Sequence, residues 1–366
     1  MSDADKARGR VILGMSGGTD SSVTAMMLKD KGYEVIGVSL WFYTNEHSYD
    51  ENDAYPDFIR DAQKLAERLG LEHHVIDARK AFRDSIIQFF LDEYLAGRTP
   101  SPCIQCNPNL KWKLLLKKAD ELNCKHIATG HYINIEKEND LFYIRKGKDP
   151  AKDQSYFLWN LKQDILSRTL TPLGKYTKAK VREIAKSYGF EEVAHKKESM
   201  GVCFMDRKDY RDFLQEMIPD LNEKIGKGKV FNIQGEEIGT HDGYPYYTVG
   251  QKRGIELKEK SGLMVSKIDP KNNRLILEKK ADLNKLQLRI SGYYFHNIED
   301  IQQEKITTVV RGLGLNPEGY SKISILNDSE LLVDLEHPAW AMAPGQPVAF
   351  YIDDKLIGGG FAEYND

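Results

Sequence analysis

The chain has 366 residues, 41% of them hydrophobic, which is enough for two or three domains with cores of their own and too long for one small module. With 52 Lys and Arg against 55 Asp and Glu the formal net charge is −3, so no global basic signal exists and any nucleic-acid surface must be local. Four cysteines exclude a disulfide scaffold, the polar stretch from Met1 to Arg10 lacks the apolar run of a signal peptide, and no segment reaches membrane-span length. A soluble, cytoplasmic protein is expected.

The first predicted strand, Val11 to Leu13, runs into Gly14-Met15-Ser16-Gly17-Gly18-Thr19-Asp20-Ser21-Ser22 and then a helix to Lys31. Gly17 and Gly18 are suited to positive φ, and Ser16, Thr19, Ser21 and Ser22 offer hydroxyl donors. The helix start favours an anion, so the loop reads as a phosphate cradle. It is not a Walker A loop, because the Lys-Ser/Thr pair is missing. The order Ser-Gly-Gly-Thr-Asp-Ser resembles the signature of the N-type ATP pyrophosphatases, which cleave ATP between the α- and β-phosphates.

Further strands are expected at 34–40, 73–77 and 125–129, and helices at 56–69 and 109–122. This alternation predicts an α/β doubly wound parallel sheet with its ligand at the carboxyl ends of the strands. His73 and His74 are expected to be surface or packing residues. Between these elements, Gly97-Arg-Thr-Pro-Ser101-Pro102-Cys103-Ile-Gln-Cys106-Asn107 is expected to be extended, with a helix entered at Asn107 and Cys106 near its N-terminus, where thiolate is favoured. No second Cys-x-x-Cys or close Cys/His pair completes a zinc site. Cys124 precedes a predicted strand, and Cys203 sits on a turn beside Gly201, between Glu198 and Asp206.

After Phe204 the composition shifts. Residues 226–250 read as short hairpins around Gln234-Gly235 and Asp242-Gly243, and strands at 305–310, 322–326, 331–335, 347–352 and 355–357 suggest a small β-barrel. Boundaries are expected near residues 207 and 285, giving a catalytic domain 1–207, a small central domain 208–285 and a barrel 286–366. Two basic runs, Lys175 to Lys186 and Lys111 to Lys118, read as RNA contacts or as solvated helix faces. Tyr244, Tyr246 and Tyr247 read as base-stacking groups or as packing.

Taken in order, Ser16-Gly-Gly-Thr-Asp-Ser21, Thr99-Pro-Ser-Pro-Cys-Ile-Gln-Cys-Asn107, Thr129-Gly-His-Tyr132, Lys152-Asp-Gln-Ser-Tyr156, Gly201-Val-Cys-Phe204, Tyr247-Thr-Val-Gly-Gln-Lys-Arg253 and Ala343-Pro-Gly-Gln346 resemble the bacterial tRNA-specific 2-thiouridylase family. That resemblance implies a PP-loop domain, a small central domain and a C-terminal β-barrel that installs sulfur at the 2-position of the wobble uridine in tRNAs for Lys, Glu and Gln. It implies ATP with Mg2+ at Gly14, Met15, Ser16, Gly17, Gly18, Thr19, Asp20 and Ser21, with Leu40 and Gly130 lining the adenosine pocket. It makes Cys203 the carrier of a persulfide delivered by a sulfur-relay protein, Cys106 its partner in releasing the sulfur as a disulfide forms, and Asp20 a further catalytic residue. It assigns tRNA contacts to Ser101, Pro102, Cys103, His131, Lys152, Asp153, Gln154, Arg311 and Gln346.

The chain departs from the family at Cys103, where relatives often carry an acid, and at Arg311-Gly-Leu-Gly314, where relatives carry more basic and aromatic residues. The first departure leaves open an iron-sulfur cluster on Cys103, Cys106 and Cys203 as an alternative route to thiolation. Two other readings stay open: a different N-type pyrophosphatase that ligates a small molecule, and a non-catalytic ATP- or RNA-binding regulator.

Overall fold

The computed structural model describes residues 9–44, 54–195, 201–205, 209–259 and 262–364. Glu198, Met200 and Asp206, which frame the predicted Cys203 turn, lie outside the described residues, as does the segment before Gly9. Two units are distinguishable. The first comprises the described residues of Met1–Ile86, Cys103–Phe204 and Asp354–Ile357, and the second those of Ile87–Pro102, Met205–Asp353 and Gly358–Asp366.

In the first unit the chain runs through β1 (Arg10–Gly14), β2 (Glu34–Trp41), β3 (Glu72–Asp77), β4 (His126–Ala128), the hairpin β5 (Ile133–Glu138) and β6 (Leu141–Lys146), and β7 (Thr169–Leu170). The parallel sheet has the order β3-β2-β1-β4-β7, as the alternation predicts. Val11, Ile12 and Leu13 are fully buried because a parallel strand is covered on both faces. Helix α1 (Thr19–Asp30) is buried over nearly its whole length, and Val23, Ala25 and Met26 share a core with Leu173, Val181 and Ala185. The hairpin was not anticipated. Its strand β6 pairs with a late segment of the chain, Arg145 opposite Lys355 and Ile144 opposite Leu356.

The helix of the cysteine segment begins five residues earlier than expected. Pro102–Cys106 is already helical, and it continues through a wide π-turn, Asn107–Lys111, into the helix Trp112–Glu121. The fixed φ of Pro102 pre-organises a first helical turn. Pro108, which lacks an N–H, is accommodated by the wide turn.

The second unit holds two sheets. β8 (Gly228–Asn232), β9 (Glu237–His241), β10 (Glu256–Leu257), β11 (Met264–Asp269) and β12 (Arg274–Glu278) take the order β10-β9-β8-β12-β11. Gly235 turns the β8–β9 hairpin at φ +82, whereas Asp242-Gly243 leads into a short 3-10 turn, Tyr244–Tyr246, and not into a second hairpin. There Tyr244, Tyr246 and Tyr247 are buried, and the Tyr244 hydroxyl donates to the Leu95 carbonyl at 2.6 Å, so these rings are packing residues.

The remaining strands are β13 (Asn284–Phe295), β14 (Ile306–Val309), β15 (Ser321–Asn327), β16 (Glu330–Trp340), β17 (Pro347–Ile352) and β18 (Lys355–Glu363), ordered β14-β17-β18-β13-β16-β15. The outermost strands of that order meet through Thr308 and Ser321, whose buried hydroxyls lie 2.7 Å apart, and the sheet curls into the expected barrel. Arg98 reaches this sheet from the segment 87–102: it makes a bidentate pair with Glu363 (2.6 and 2.9 Å) and a third bond to Glu93 at 2.8 Å. Among the described residues no helix is long and apolar enough to cross a membrane.

Candidate active site

The sheet order reverses between β1 and β4, and the crevice outside the carboxyl ends of these strands is where a doubly wound sheet binds its ligand. The glycine loop lies there. Met15 N–H donates to the Val38 carbonyl at 2.8 Å and adds one rung to the ladder before the chain turns. Gly17 takes φ +65, and a Cβ on it would meet the Phe58 carbonyl oxygen at 2.4 Å, so both conformation and space demand glycine. Gly18, in contrast, has φ −91: it is the N-cap of α1 and gives the helix no side-chain cap. Only Ser16 of the four hydroxyl residues is exposed. Ser21 and Ser22 donate back to the Gly18 carbonyl at 3.2 and 2.7 Å, which shapes the loop.

Gly130, at the end of β4, lets the backbones touch: a Cβ there would lie 2.9 Å from Asp20 C and 3.0 Å from Ser21 N. Asp20 accepts from the Tyr132 hydroxyl at 2.6 Å and from Lys178 Nζ at 2.8 and 2.9 Å. Lys178 is 6% exposed, so this member of the basic run is neither a solvated residue nor an RNA contact; it is a buried cation fixed on the loop. Its neighbour Lys180 does face solvent, paired with Glu183. Leu40 is half-buried near the end of β2, where it pairs with Ile76.

A second support was also not anticipated. Ser39 Oγ donates to the Met15 carbonyl at 2.9 Å and lies 3.0 Å from His73 Nε2. Burial, then the neighbouring His74, pulls the His73 imidazole down to about 4; it is neutral at pH 7, and the hydrogen bonds put its proton on Nε2, facing Ser39. His73 therefore buttresses the loop through Ser39. The parallel register that sets Gly37 opposite His73 brings them together, and no local pattern signals it.

The loop after β6 is tied to the same place. Gln154 accepts from the Tyr132 N–H at 3.0 Å, and Asp153 accepts from Gly147 N–H at 2.9 Å and from the Ser155 hydroxyl at 2.6 Å. Lys152 is half-buried in the same turn. His131 packs against Trp112, the rings tilted by 48° with centroids 4.9 Å apart, and bonds Thr129 at 3.0 Å; burial and then Lys111 pull its imidazole down to about 3.

All four cysteines are free thiols. Three of them, Cys103, Cys106 and Cys203, are close enough to interact, and each also feels the Lys111 ammonium. The expected thiolate at Cys106 is not found. It lies inside the helical run and is buried, and desolvation pushes its thiol up to about 11 against the lowering pull of Lys111. Cys203 lies on a turn and is exposed, and desolvation, then repulsion from Cys103 and Cys106, pushes its thiol up to about 12. Gly201 turns that segment at φ +102, and Phe204 anchors it, buried against Phe82 with centroids 5.7 Å apart. Cys124 is buried elsewhere, its Sγ 3.6 Å from the Leu122 carbonyl.

In the second unit Thr99 N–H donates to the Pro344 carbonyl at 2.7 Å, and the Thr99 and Thr248 hydroxyls meet at 2.5 Å. The segment Thr99–Ser101, which leads into the helix at Pro102, is thereby joined to the turn that presents Gln346. A Cβ on Gly345 would lie 3.2 Å from Arg98 Cβ, so that turn needs glycine for its close approach. The Arg311 guanidinium donates to the Ala341 carbonyl at 2.7 Å.

Residues 9–207 match the family model described as "tRNA methyl transferase HUP domain", residues 211–279 the "tRNA methyl transferase PRC-barrel domain" and residues 287–362 the "Aminomethyltransferase beta-barrel domain". Among curated proteins the chain is 42% identical to tRNA-specific 2-thiouridylase MnmA 3 of Phocaeicola vulgatus over 363 residues, covering 99% of this chain and 95% of that one. The chain belongs to the bacterial tRNA-specific 2-thiouridylase family. The MnmA of Amoebophilus asiaticus is 40% identical, with 97% of this chain and 95% of the relative covered. Among solved structures, the U34-tRNA thiolase NcsA from Methanococcus maripaludis, with its [4Fe-4S] cluster, is 20% identical at a TM-score of 0.35. It covers 61% of this chain and 69% of its own, a likeness too slight to transfer anything. Family membership accounts for the PP-loop sheet, the middle domain and the barrel together.

Proposed function

We propose that the chain is an ATP-dependent tRNA-uridine 2-sulfurtransferase that thiolates the wobble uridine of tRNAs for Lys, Glu and Gln, releasing AMP and pyrophosphate, with work divided among domains bounded near residues 207 and 285. The observation that supports it most is that a single unit carries both the switch-point loop, locked by Lys178, Tyr132 and Ser39, and three thiols around Lys111.

In this reading ATP lies across Gly14 to Ser21, with its adenosine by Leu40 and Gly130. Uridine O2 attacks the α-phosphorus as the N3 proton leaves, and the bond to pyrophosphate breaks. The terminal sulfur of a Cys203 persulfide, supplied by a cytoplasmic sulfur-relay protein, attacks C2, and AMP departs with the former O2. The Cys106 thiolate then attacks Cys203 Sγ. The S–S bond breaks, sulfur stays on C2 as N3 regains a proton, and a Cys106–Cys203 disulfide forms that a thiol reductant must reopen. The raised Cys203 thiol suits the first transfer, because the resting cysteine stays protonated while a persulfide ionises more readily; the Cys106 thiol, raised by burial, must give up its proton as it attacks.

Mg2+ fits the residues present, since it needs one or two carboxylates beside substrate phosphates and Asp20 is partly exposed at the start of α1; when bound it neutralises phosphate charge. An iron-sulfur cluster does not fit. Among the described residues no group of three His, Cys, Asp or Glu is arranged to hold a metal ion. The tRNA contacts are proposed at Ser101, Pro102, Cys103, His131, Lys152, Asp153, Gln154, Arg311 and Gln346, and Asp153 and Gln154 also hold the backbone at Gly147 and Tyr132.

The test is the 2-thiouridine content of tRNA made with a persulfide donor. Cys203→Ser and Cys106→Ser should abolish it while adenylylation continues, and Cys103→Ser and Cys124→Ser should retain it. Thiolation by Cys203→Ser overturns the mechanism, and equal loss of iron and activity in Cys103→Ser moves the reading to the cluster.

A further inference from the structure

The loop Arg311-Gly-Leu-Gly314 carries no aromatic residue, yet an aromatic lies beside it. Trp340, the last residue of β16, is half-buried and borders a groove lined by Lys280, Ala281, Asn284 and Leu315. The ring is held from several sides. Its Nε1–H donates to the Lys280 carbonyl at 3.3 Å, and Asn284 is its register partner on β13. A Cβ on Gly250 would lie 3.3 Å from the indole. Two cations flank it, the Arg311 guanidinium at 5.5 Å and Lys280 Nζ at 5.9 Å from the ring centroid. Ala341, immediately after it, adopts φ +49, a left-handed conformation that a residue with a Cβ rarely takes.

Two further observations bear on what would fill this groove. Leu315 is 79% exposed and Leu313 66% exposed, an apolar rim that is unusual on a surface with nothing to cover it. None of the lining residues is acidic, and among the described residues Lys279, Lys280 and Lys285 make no ion pair with a carboxylate. A fixed indole, apolar walls, an amide and lysines outside any ion pair together match an unpaired nucleotide: stacking for the base, charge for its phosphate and Asn284 for a base edge. A peptide or an apolar ligand would not use the excess of cations.

We propose that Trp340 is a stacking platform for an unpaired base of the tRNA substrate, with Lys280 and Arg311 on the adjoining phosphates. This rests on the reading that tRNA is the substrate. The experiment measures Kd of the full chain for an unmodified tRNA transcript with a wobble uridine, by anisotropy of a labelled RNA at two salt concentrations. Trp340→Ala should raise Kd roughly ten-fold, Trp340→Phe should keep it within about three-fold of the unaltered protein, and Lys280→Ala should reduce the salt slope by about one. The phenylalanine variant separates loss of stacking from loss of fold. Undiminished binding by Trp340→Ala, or equal loss in both Trp340 variants, overturns the platform while leaving the substrate reading intact. No binding by the unaltered protein overturns both. A concentration-dependent dimer that Trp340→Ala abolishes, with tRNA affinity unchanged, assigns the groove to a second copy instead.

Discussion

Adding one methyl group to each of three glycines tests how the nucleotide loop is built. Gly130→Ala would place Cβ 2.9 Å from Asp20 C and 3.0 Å from Ser21 N, contacts with main chain that no side-chain rotation relieves. Its φ lies outside the left-handed region, so the penalty is steric, and overpacking of this kind costs about 1–3 kcal/mol. Gly17→Ala suffers twice, from the Phe58 carbonyl oxygen at 2.4 Å and from φ +65, and should lose roughly 2–5 kcal/mol. Gly18→Ala meets nothing nearer than Ser16 Oγ at 3.5 Å at an ordinary φ, and its stability should change by less than about 1 kcal/mol. Urea midpoints measured without ATP give these costs, and titration with a fluorescent ATP analogue then reads the site. Gly130→Ala and Gly17→Ala should lose both stability and nucleotide. A loss of nucleotide in the stable Gly18→Ala protein would locate the phosphates against that Cα. Wild-type stability in Gly130→Ala, or destabilisation by Gly18→Ala as large as by Gly17→Ala, would refute the packing argument.

The Asp20–Lys178 pair should respond asymmetrically. Asp20→Asn leaves an almost fully buried ammonium without its carboxylate and should cost about 3–5 kcal/mol, whereas Lys178→Met leaves a partly exposed Asp20 still bonded to Tyr132 and should cost less, as urea unfolding would report. Both should abolish tRNA-dependent pyrophosphate release. The buried Cys106 thiol, held near 11 against an ordinary value of 9.0, should react with iodoacetamide roughly 100-fold more slowly at pH 8 than an unperturbed thiol. Because the folded protein holds that proton more tightly than the unfolded chain, the associated stability is present below pH 9 and is lost as pH rises towards 11. Quantification of alkylated Cys106 by mass spectrometry across pH 7–11 tests this, and a rate already level at pH 9 would contradict it.

The loop at Ser16–Ser21 was legible because its glycines and hydroxyls are contiguous and follow an apolar strand. What holds it was not legible. Ser39, His73, Tyr132 and Lys178 come from four separate segments and meet only through parallel register and the packing of the helix Lys178–Ser187 on α1. Lys178 and Lys180 are indistinguishable as members of a basic run, and burial alone makes one a loop anchor and the other a surface ion pair with Glu183. The hydroxyls at Ser21 and Ser22 read as ligand donors because sequence does not show that the Gly18 carbonyl competes for them. The helical run from Arg79 to Leu95 was missed, as its charged first turn and its π-turn at Arg83–Ile87 break the apolar period. At Cys106, spacing located the thiol but its protonation depends on burial, which reversed the expected sign.

The pairing of Lys355 and Leu356 with β6 bears on the order in which the molecule can be completed. A ribosome that has passed residue 204 has made nearly all of the unit bearing the nucleotide loop, yet the edge of β6 still lacks its last strand. Conversely, the early segment Ile87–Pro102, with Arg98, must wait for Glu363, synthesised more than two hundred residues later. Each unit thus leaves the ribosome missing a piece that only the end of the chain supplies. Neither should be obtainable intact by cutting the gene at one point, and a premature stop anywhere in the barrel deprives the unit with the glycine loop as well.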